Sequence, residues 1–234
     1  MAPVVNSTAD ALIRAIDQKL AKNIERLHVM ISSPGGSVFH GLSIHNLLRG
    51  SPVPVSTYNF GSVDSIGVVI FCAGSERICV PHARFLVHGV TLGLQAGGAF
   101  DEKQLEEQIK LLRSDYDNIS RVIADTTKQD KKGVVKMMDQ RTTLSPDRAK
   151  EIGLVTEVRS QLFPEGADMT MIYENGTTQE FTLAPKQLPL PNGNEQHDPH
   201  ALPPSLIGVS PHVPSACSIP VETGTYFSWL HGKK

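Results

Sequence analysis

The sequence Gly61-Ser-Val-Asp-Ser-Ile-Gly67 places a serine at the start of a predicted apolar helix, which runs from Ser65 to Ala73. A predicted strand then ends in a histidine, in Arg84-Phe-Leu-Val-His88, and an earlier loop reads Ser33-Pro-Gly-Gly-Ser37. Serine becomes a nucleophile only when a base takes its proton, and the reaction also needs N–H donors for the developing negative charge. The order of loop, serine and histidine therefore predicts a serine hydrolase.

Around these motifs, predicted strands alternate with predicted helices. This alternation favours a mainly parallel sheet with crossover helices. Leu105, Ile109 and Leu112 recur at helical spacing and predict a long amphipathic helix from Asp101 to about Thr126. The other predicted strands span residues 27–31, 53–60, 77–80, 85–87 and 154–158. One predicted helix begins after capping residues at 6–8, and the others span residues 38–48, 133–138 and 146–152.

Composition excludes several functional classes. The chain has 234 residues and is 40% hydrophobic, which is enough for a real core. A formal charge of −2 argues against a nucleic-acid partner. No apolar run approaches the roughly 20 residues that cross a bilayer, and the N-terminus lacks the pattern of a signal peptide, so no membrane association is expected.

The cysteines and histidines predict no metal site and no cofactor. Cys72, Cys79 and Cys217 lack metal-ligand spacing, and we interpret the first two as small apolar core residues of a reduced, cytoplasmic protein. The histidines outside the main motif are interpreted as structural or exposed: His28, His40, His45 and His82.

The composition changes after about Phe163. An Asn175-Gly176 turn between two β-prone runs predicts a hairpin, so residues 160–184 form an appended hairpin-like segment. Nine of the sixteen prolines fall from Pro185 onward, which predicts a disordered tail over 185–234. The closing run Tyr226-Phe-Ser-Trp-Leu230 has two interpretations, a docking peptide or an unstructured end.

The loop Ser33-Pro-Gly-Gly-Ser37, the serine motif at 61–67 and the histidine motif at 84–88 resemble, in order and spacing, the proteolytic subunit of the Clp protease. A further stretch, Leu144-Ser-Pro-Asp-Arg-Ala-Lys-Glu-Ile-Gly-Leu-Val155, is similar to that family's closing helix and strand. The resemblance covers residues 4–159. It implies a crotonase-like α/β fold with repeated ββα units and a protruding handle helix.

Residue by residue, the resemblance implies that Ser65 is the nucleophile and His88 the general base. It also implies that the N–H groups of Gly36 and Ile66 form the oxyanion hole. A glycine lets the backbone approach a substrate closely, and the start of a helix directs free N–H groups at negative charge. These physical reasons agree with the implied roles.

The third catalytic position departs from the family. Arg141 occupies the position of the usual aspartate, and the nearest carboxylate is Asp139. Two alternatives follow: a local bulge brings Asp139 to His88, or the site is a Ser–His dyad whose imidazole is oriented by a backbone carbonyl or water. Asp64, beside the nucleophile, is interpreted as a capping or solvated residue.

The resemblance implies hydrolysis of unfolded polypeptides inside a chamber formed by a ring of subunits. It also implies a Clp-type ATPase partner, although the sequence begins just before the first predicted helix and lacks a counterpart of the family's N-terminal strand and axial-pore segment. Two rival functions stay open. An acyl-CoA hydratase or isomerase shares the fold but uses acidic residues, and a catalytically silent ring subunit is favoured by Arg141.

Overall fold

The computed structural model describes residues 2–93, 99–163 and 167–182, and the backbone of 227–231. In this part of the chain the helices are α1 Asn6–Leu20, α2 Val38–Arg49, α3 Ile66–Phe71, α4 Glu102–Thr126, α5 Lys131–Asp139 and α6 Pro146–Glu151. The strands are β1 Leu27–Ser33, β2 Val55–Asp64, β3 Glu76–Cys79, β4 Arg84–Val87, β5 Thr142–Leu144, β6 Glu157–Val158, β7 Asp168–Ile172, β8 Thr178–Thr182 and β9 Phe227–His231.

The strands form one sheet in the order β5-β4-β2-β1-β9-β7-β8. The ten-residue β2 pairs in parallel with β1 on one side and with β3 and then β4 on the other. β6 extends the parallel part through β3, whereas β5, β7, β8 and β9 pair antiparallel. The mainly parallel centre with helical crossovers agrees with the predicted α/β alternation, and α4 is the long helix that the apolar spacing predicted.

Both faces of the central strands are buried, so β1 has no exposed residue. Val29 and Ile31 point to the main core, which the helices cover, and Met30 points to the opposite face. On that face Met30 packs with Tyr58, Ile78 and Ala167. The appended segment, which contains Ala167, therefore covers the second face of the sheet.

The predicted core cysteines are confirmed. Cys72 and Cys79 are free thiols inside the main core. Burial raises the pKa of each thiol to about 11, which keeps both in the unreactive protonated form at neutral pH. Cys217 lies outside the described residues.

Several elements differ from their predicted bounds. β2 continues through Gly61 to Asp64 instead of ending at residue 60, because its last residues pair with β4. The short β5 was not predicted, since three residues give no periodic pattern. Within the segment predicted to be disordered, the backbone of Phe227–His231 forms β9 between β1 and β7. The rest of that segment lies outside the described residues.

The first half of α4 is largely exposed. The helix begins with a capping box, in which Asp101 and Gln104 each bond the other's backbone N–H. Leu105 and Ile109 are 40% and 47% exposed, and Leu111 is 60% exposed. No helix in the described part of the chain is long and apolar enough to cross a membrane.

We predict that folding stability falls when the pH drops below neutrality, partly because of His28. Its Nδ1 lies 2.8 Å from the Tyr58 hydroxyl, and burial, together with the nearby positive charge of Arg26, lowers its pKa to about 4. The unfolded chain binds the proton near pH 6.5. The stabilisation is therefore complete above about pH 6.5 and is lost as the pH falls towards 4, by about 2 kcal/mol at pH 5 and about 3 kcal/mol at pH 4.

Urea unfolding of wild type and His28→Asn between pH 7 and pH 5 tests this prediction. The variant should be less stable at pH 7 but should lose less stability on acidification. Burial also lowers the pKa of His45, so some pH dependence should remain. His82→Asn, at an exposed histidine, is the control, and an acid-induced loss in His28→Asn as large as in wild type would contradict the prediction.

Candidate active site

Ser65 occupies a sharp turn between β2 and α3. Asp64 is the last residue of the strand and Ile66 the first of the helix, so Ser65 makes the entire connection. Its φ of 58° and ψ of −127° are unusual for a residue other than glycine. Its N–H donates to the Leu86 carbonyl at 2.8 Å. A strained strand-to-helix turn of this kind presents a serine hydroxyl beyond the sheet edge.

The glycine loop lies directly against this turn. A Cβ on Gly35 would stand 2.5 Å from the Ser65 Cβ and 2.9 Å from the Asp64 carbonyl oxygen. The loop is fixed by Val4, whose N–H donates to the Gly35 carbonyl at 2.8 Å and whose carbonyl accepts from the Ser37 N–H at 2.7 Å. These bonds leave Gly36, which is exposed, at the bend of the loop beside the serine.

Two backbone N–H groups are available for an oxyanion. Ile66 is the first residue of α3, a position whose N–H has no acceptor within its own helix. Gly36 has a φ of 147°, and a Cβ there would collide with the backbone of Val4, so only glycine fits. The predicted oxyanion pair thus lies on the two segments that flank Ser65.

His88 directly follows β4, the strand whose Leu86 carbonyl holds the Ser65 N–H. The structure therefore places both residues at the carboxyl ends of neighbouring parallel strands. The His88 Nδ1 lies 2.7 Å from the Gly89 carbonyl oxygen. A carbonyl only accepts hydrogen bonds, so the proton of the neutral ring is on Nδ1 and the Nε2 lone pair is free.

No hydrogen bond joins Ser65 Oγ to His88 among the residues that the structure describes. Such catalytic bonds are often long without substrate and tighten in the reacting complex. Both side chains are partly exposed, as substrate access requires.

Asp139 is held elsewhere. Its carboxylate accepts a 2.6 Å hydrogen bond from the Tyr116 hydroxyl, whereas the His88 Nδ1 contacts Gly89. Val87 pairs with Thr142, which places the backbone of Arg141 next to His88, but the Arg141 side chain is exposed. Of the two sequence-based alternatives, this geometry corresponds to a histidine oriented by a backbone carbonyl.

The interpretation of Asp64 was wrong. Asp64 is only 6% exposed, and it caps no helix because it is the last residue of β2. The carboxylate accepts hydrogen bonds from Ser62 Oγ at 2.8 Å and from Arg84 Nη2 at 3.3 Å. It points to the sheet face opposite Val63 and stabilises the pairing of β2 with β4, which the one-dimensional sequence did not reveal.

A model of the Clp protease family matches residues 3–161. The chain belongs to the Clp protease family. The match covers both glycines of the loop, the serine turn and the histidine, together with the handle helix and α6. It ends before the hairpin of β7 and β8, which is outside the family match.

Individual members of the family agree with this assignment. The chain is 28% identical over 158 residues to the ATP-dependent Clp protease proteolytic subunit 3 of Rhizobium etli, covering 67% of this chain and 79% of the relative. It is 32% identical over 134 residues to proteolytic subunit 2 of Corynebacterium efficiens, covering 56% of this chain and 65% of the relative.

A solved structure also shares the fold. An asparagine-to-aspartate mutant of ClpP1 from Listeria monocytogenes superimposes with a TM-score of 0.60 at 24% identity. The similarity covers 68% of this chain and 88% of the other. It supports the crotonase-like architecture of this Clp protease family member.

Sequence reasoning missed Gly35 and Tyr116. The sequence shows that Gly35 adjoins Gly36, but only the structure shows that it packs against Ser65. Tyr116 lies within the predicted helix from Asp101 to about Thr126, and the structure shows that it contacts Asp139 and Gly89. No sequence signal connects three residues that lie on different elements.

We predict that Gly35→Ala disables the serine, because the new methyl group would displace the turn at Ser65. A displacement of about 1 Å at a reacting atom costs on the order of 100-fold in rate. The measurement is the rate of labelling by a fluorophosphonate probe. Gly93→Ala is the matched control, since a Cβ at Gly93 meets nothing within 4 Å; equal labelling of the two variants would contradict the prediction.

Proposed function

We propose that this protein is a serine endopeptidase that hydrolyses peptide bonds by acyl transfer through Ser65. The observation that carries the proposal is the strained turn at Ser65, which packs against Gly35 and lies beside the end of the strand that leads to His88. A strained backbone at a serine that is flanked by free N–H donors is typical of a nucleophile.

In the proposed mechanism, Ser65 Oγ attacks the carbonyl carbon of the scissile bond and His88 Nε2 takes the hydroxyl proton. The N–H groups of Gly36 and Ile66 donate to the resulting oxyanion. His88 then gives its proton to the amine nitrogen as the C–N bond breaks, leaving an ester on Ser65. A water molecule, deprotonated by His88, hydrolyses the ester to a carboxylate and restores the serine.

Because no carboxylate bonds His88 among the residues that the structure describes, we propose a Ser–His dyad. The Gly89 carbonyl, at 2.7 Å from Nδ1, selects the tautomer that a base requires. A carbonyl carries only a partial negative charge and stabilises the imidazolium less than an aspartate does. We therefore expect turnover below that of a full triad but well above background.

The proposed substrates are unfolded polypeptides. Both curated relatives are named as proteolytic subunits of an ATP-dependent protease, and by analogy we propose a Clp-type ATPase as partner and the cytoplasm as location. A second candidate function, a catalytically silent ring subunit, is favoured by one observation: Arg141 stands where the family's aspartate is expected.

The first experiment is labelling with a fluorophosphonate probe. Wild type should be labelled, Ser65→Ala should lose the label completely, and His88→Ala should label about 100- to 10,000-fold more slowly. Ser43→Ala, at an exposed serine of α2 whose hydroxyl bonds Phe39, is the control. Undiminished labelling of Ser65→Ala would rule out the proposed nucleophile, and an unlabelled but assembled wild type would favour the silent subunit.

We further propose that the exposed half of α4 joins subunits in a ring assembly. Leu105 and Ile109 lie one turn apart on the same face of the helix, at 40% and 47% exposure, and burying one such side chain is worth about 2 kcal/mol. Contact with another copy of the chain would bury them, as the family's handle helices imply.

Light scattering tests the assembly. Wild type should exceed the 25.4 kDa of a single chain several-fold, and Leu105→Asp combined with Ile109→Asp should lower the mass. Lys103→Asp, roughly on the opposite side of the helix, is the control and should not. A monomeric wild type at micromolar concentration would contradict the proposal.

A further inference from the structure

Tyr116 of α4 reaches the segment that carries the histidine. Its ring lies against Gly89, where a Cβ would meet the ring at 3.2 Å. Its hydroxyl donates to Asp139 Oδ1 at 2.6 Å, at the end of α5. The Gly89 carbonyl in turn lies 2.7 Å from the Nδ1 of His88. One side chain thus contacts the residue that orients the imidazole.

A second contact fixes Gly89 to the same end of α5. The Gly89 N–H donates to the carbonyl of Met138 at 3.1 Å, and Met138 directly precedes Asp139. The contacts therefore form a closed circuit from Gly89 to Met138, along the chain to Asp139, through its carboxylate to Tyr116, and back to Gly89. Each member of this circuit is thereby connected to the carbonyl at His88.

We propose that Tyr116 and Asp139 are positioning residues, whose hydrogen bond holds the Gly89 carbonyl at His88 and so keeps the ring proton on Nδ1. This inference rests on the proposed function, in which His88 is the base. It gives Asp139 a role that differs from direct membership of a triad, because the carboxylate acts through Tyr116 and Gly89.

The charge state of the pair is compatible with this role. Partial burial, together with the hydrogen bond to Asp139 and its negative charge, raises the pKa of Tyr116 to about 12. The phenol therefore stays a hydrogen-bond donor at neutral pH. Asp139 is exposed, and its carboxylate needs only to accept.

The experiment compares three variants of the full-length chain. Tyr116→Phe keeps the ring against Gly89 and removes only the hydroxyl, and Asp139→Ala removes the acceptor. Asp139→Asn keeps an oxygen that can accept from Tyr116. Tyr173→Phe, which removes a hydroxyl that bonds Gln179 in the hairpin of β7 and β8, is the control.

Two readouts are measured on each variant. The first is the rate of Ser65 labelling by the fluorophosphonate probe, together with kcat and KM for an unfolded peptide. The second is the tautomer of His88, from solid-state ¹⁵N NMR of histidine-labelled, sedimented protein, assigned with His88→Gln. The second readout does not depend on activity.

We expect Tyr116→Phe and Asp139→Ala each to slow labelling and kcat about tenfold with KM unchanged, and to mix the two tautomers. The double variant should be no slower than either single variant. Asp139→Asn should restore the wild-type tautomer and lose no more than about twofold in rate. If instead Asp139 bonded His88 directly, Asp139→Asn would cost about 10,000-fold and Tyr116→Phe little.

The outcomes separate this inference from the proposed function. If Ser65 is labelled, and Tyr116→Phe changes neither the labelling rate nor the His88 tautomer, the inference about Tyr116 is overturned and the proposed function is not. Failure of the probe to label Ser65 in the wild type would overturn the proposed function. Whether Tyr116 positions His88 would then be decided by comparing the His88 tautomer in wild type and in Tyr116→Phe. A wild-type His88 with its proton on Nε2 would overturn the inference in either case.

Discussion

The hydrogen bond from the Ser65 N–H to the Leu86 carbonyl, at 2.8 Å, is the interaction on which the site depends. It continues the parallel pairing of β2 and β4 one residue beyond the strand and ties the serine turn to the strand that leads to His88. The backbone at Ser65 costs about 1–3 kcal/mol in strain. Burial of every residue of α3 offsets that cost and holds the turn in place.

The first residues of the chain belong to the site as well. Ala2 and Val4 are almost completely buried, and they bond the loop that contains Gly35 and Gly36. Ser33 connects them, since its hydroxyl donates to the Ala2 carbonyl and accepts from the Gly35 N–H. The loop of the proposed oxyanion hole is therefore held by a segment about thirty residues away in sequence, through hydrogen bonds that do not involve a substrate.

In the proposed dyad, the orientation of His88 does not depend on an aspartate. The essential requirement for a base is a free Nε2, and any acceptor at Nδ1 satisfies it. The Gly89 carbonyl supplies that acceptor, and Met138 and Tyr116 hold the carbonyl. What the carbonyl lacks is full negative charge, so orientation is preserved while stabilisation of the imidazolium is reduced.

The sequence by itself determined the α/β alternation, the family and the residues around which a site would form. These follow from local signals: the spacing of apolar residues, the two adjacent glycines of the loop at 33–37, and motifs no longer than seven residues. The roles proposed for Ser65, His88, Gly36 and Ile66 rest on those motifs, and the structure places all four at one end of the sheet.

Only the tertiary structure decided what surrounds them. Asp64 became a buried partner of Arg84 because β2 extends beside β4, and Asp139 bonded Tyr116 because α4 crosses the end of α5. The strand β9 depends on an edge of β1 that is distant in sequence. Each of these contacts joins residues far apart along the chain. Such a contact stabilises the protein only after the intervening chain has closed into a loop, which no local stretch of sequence encodes.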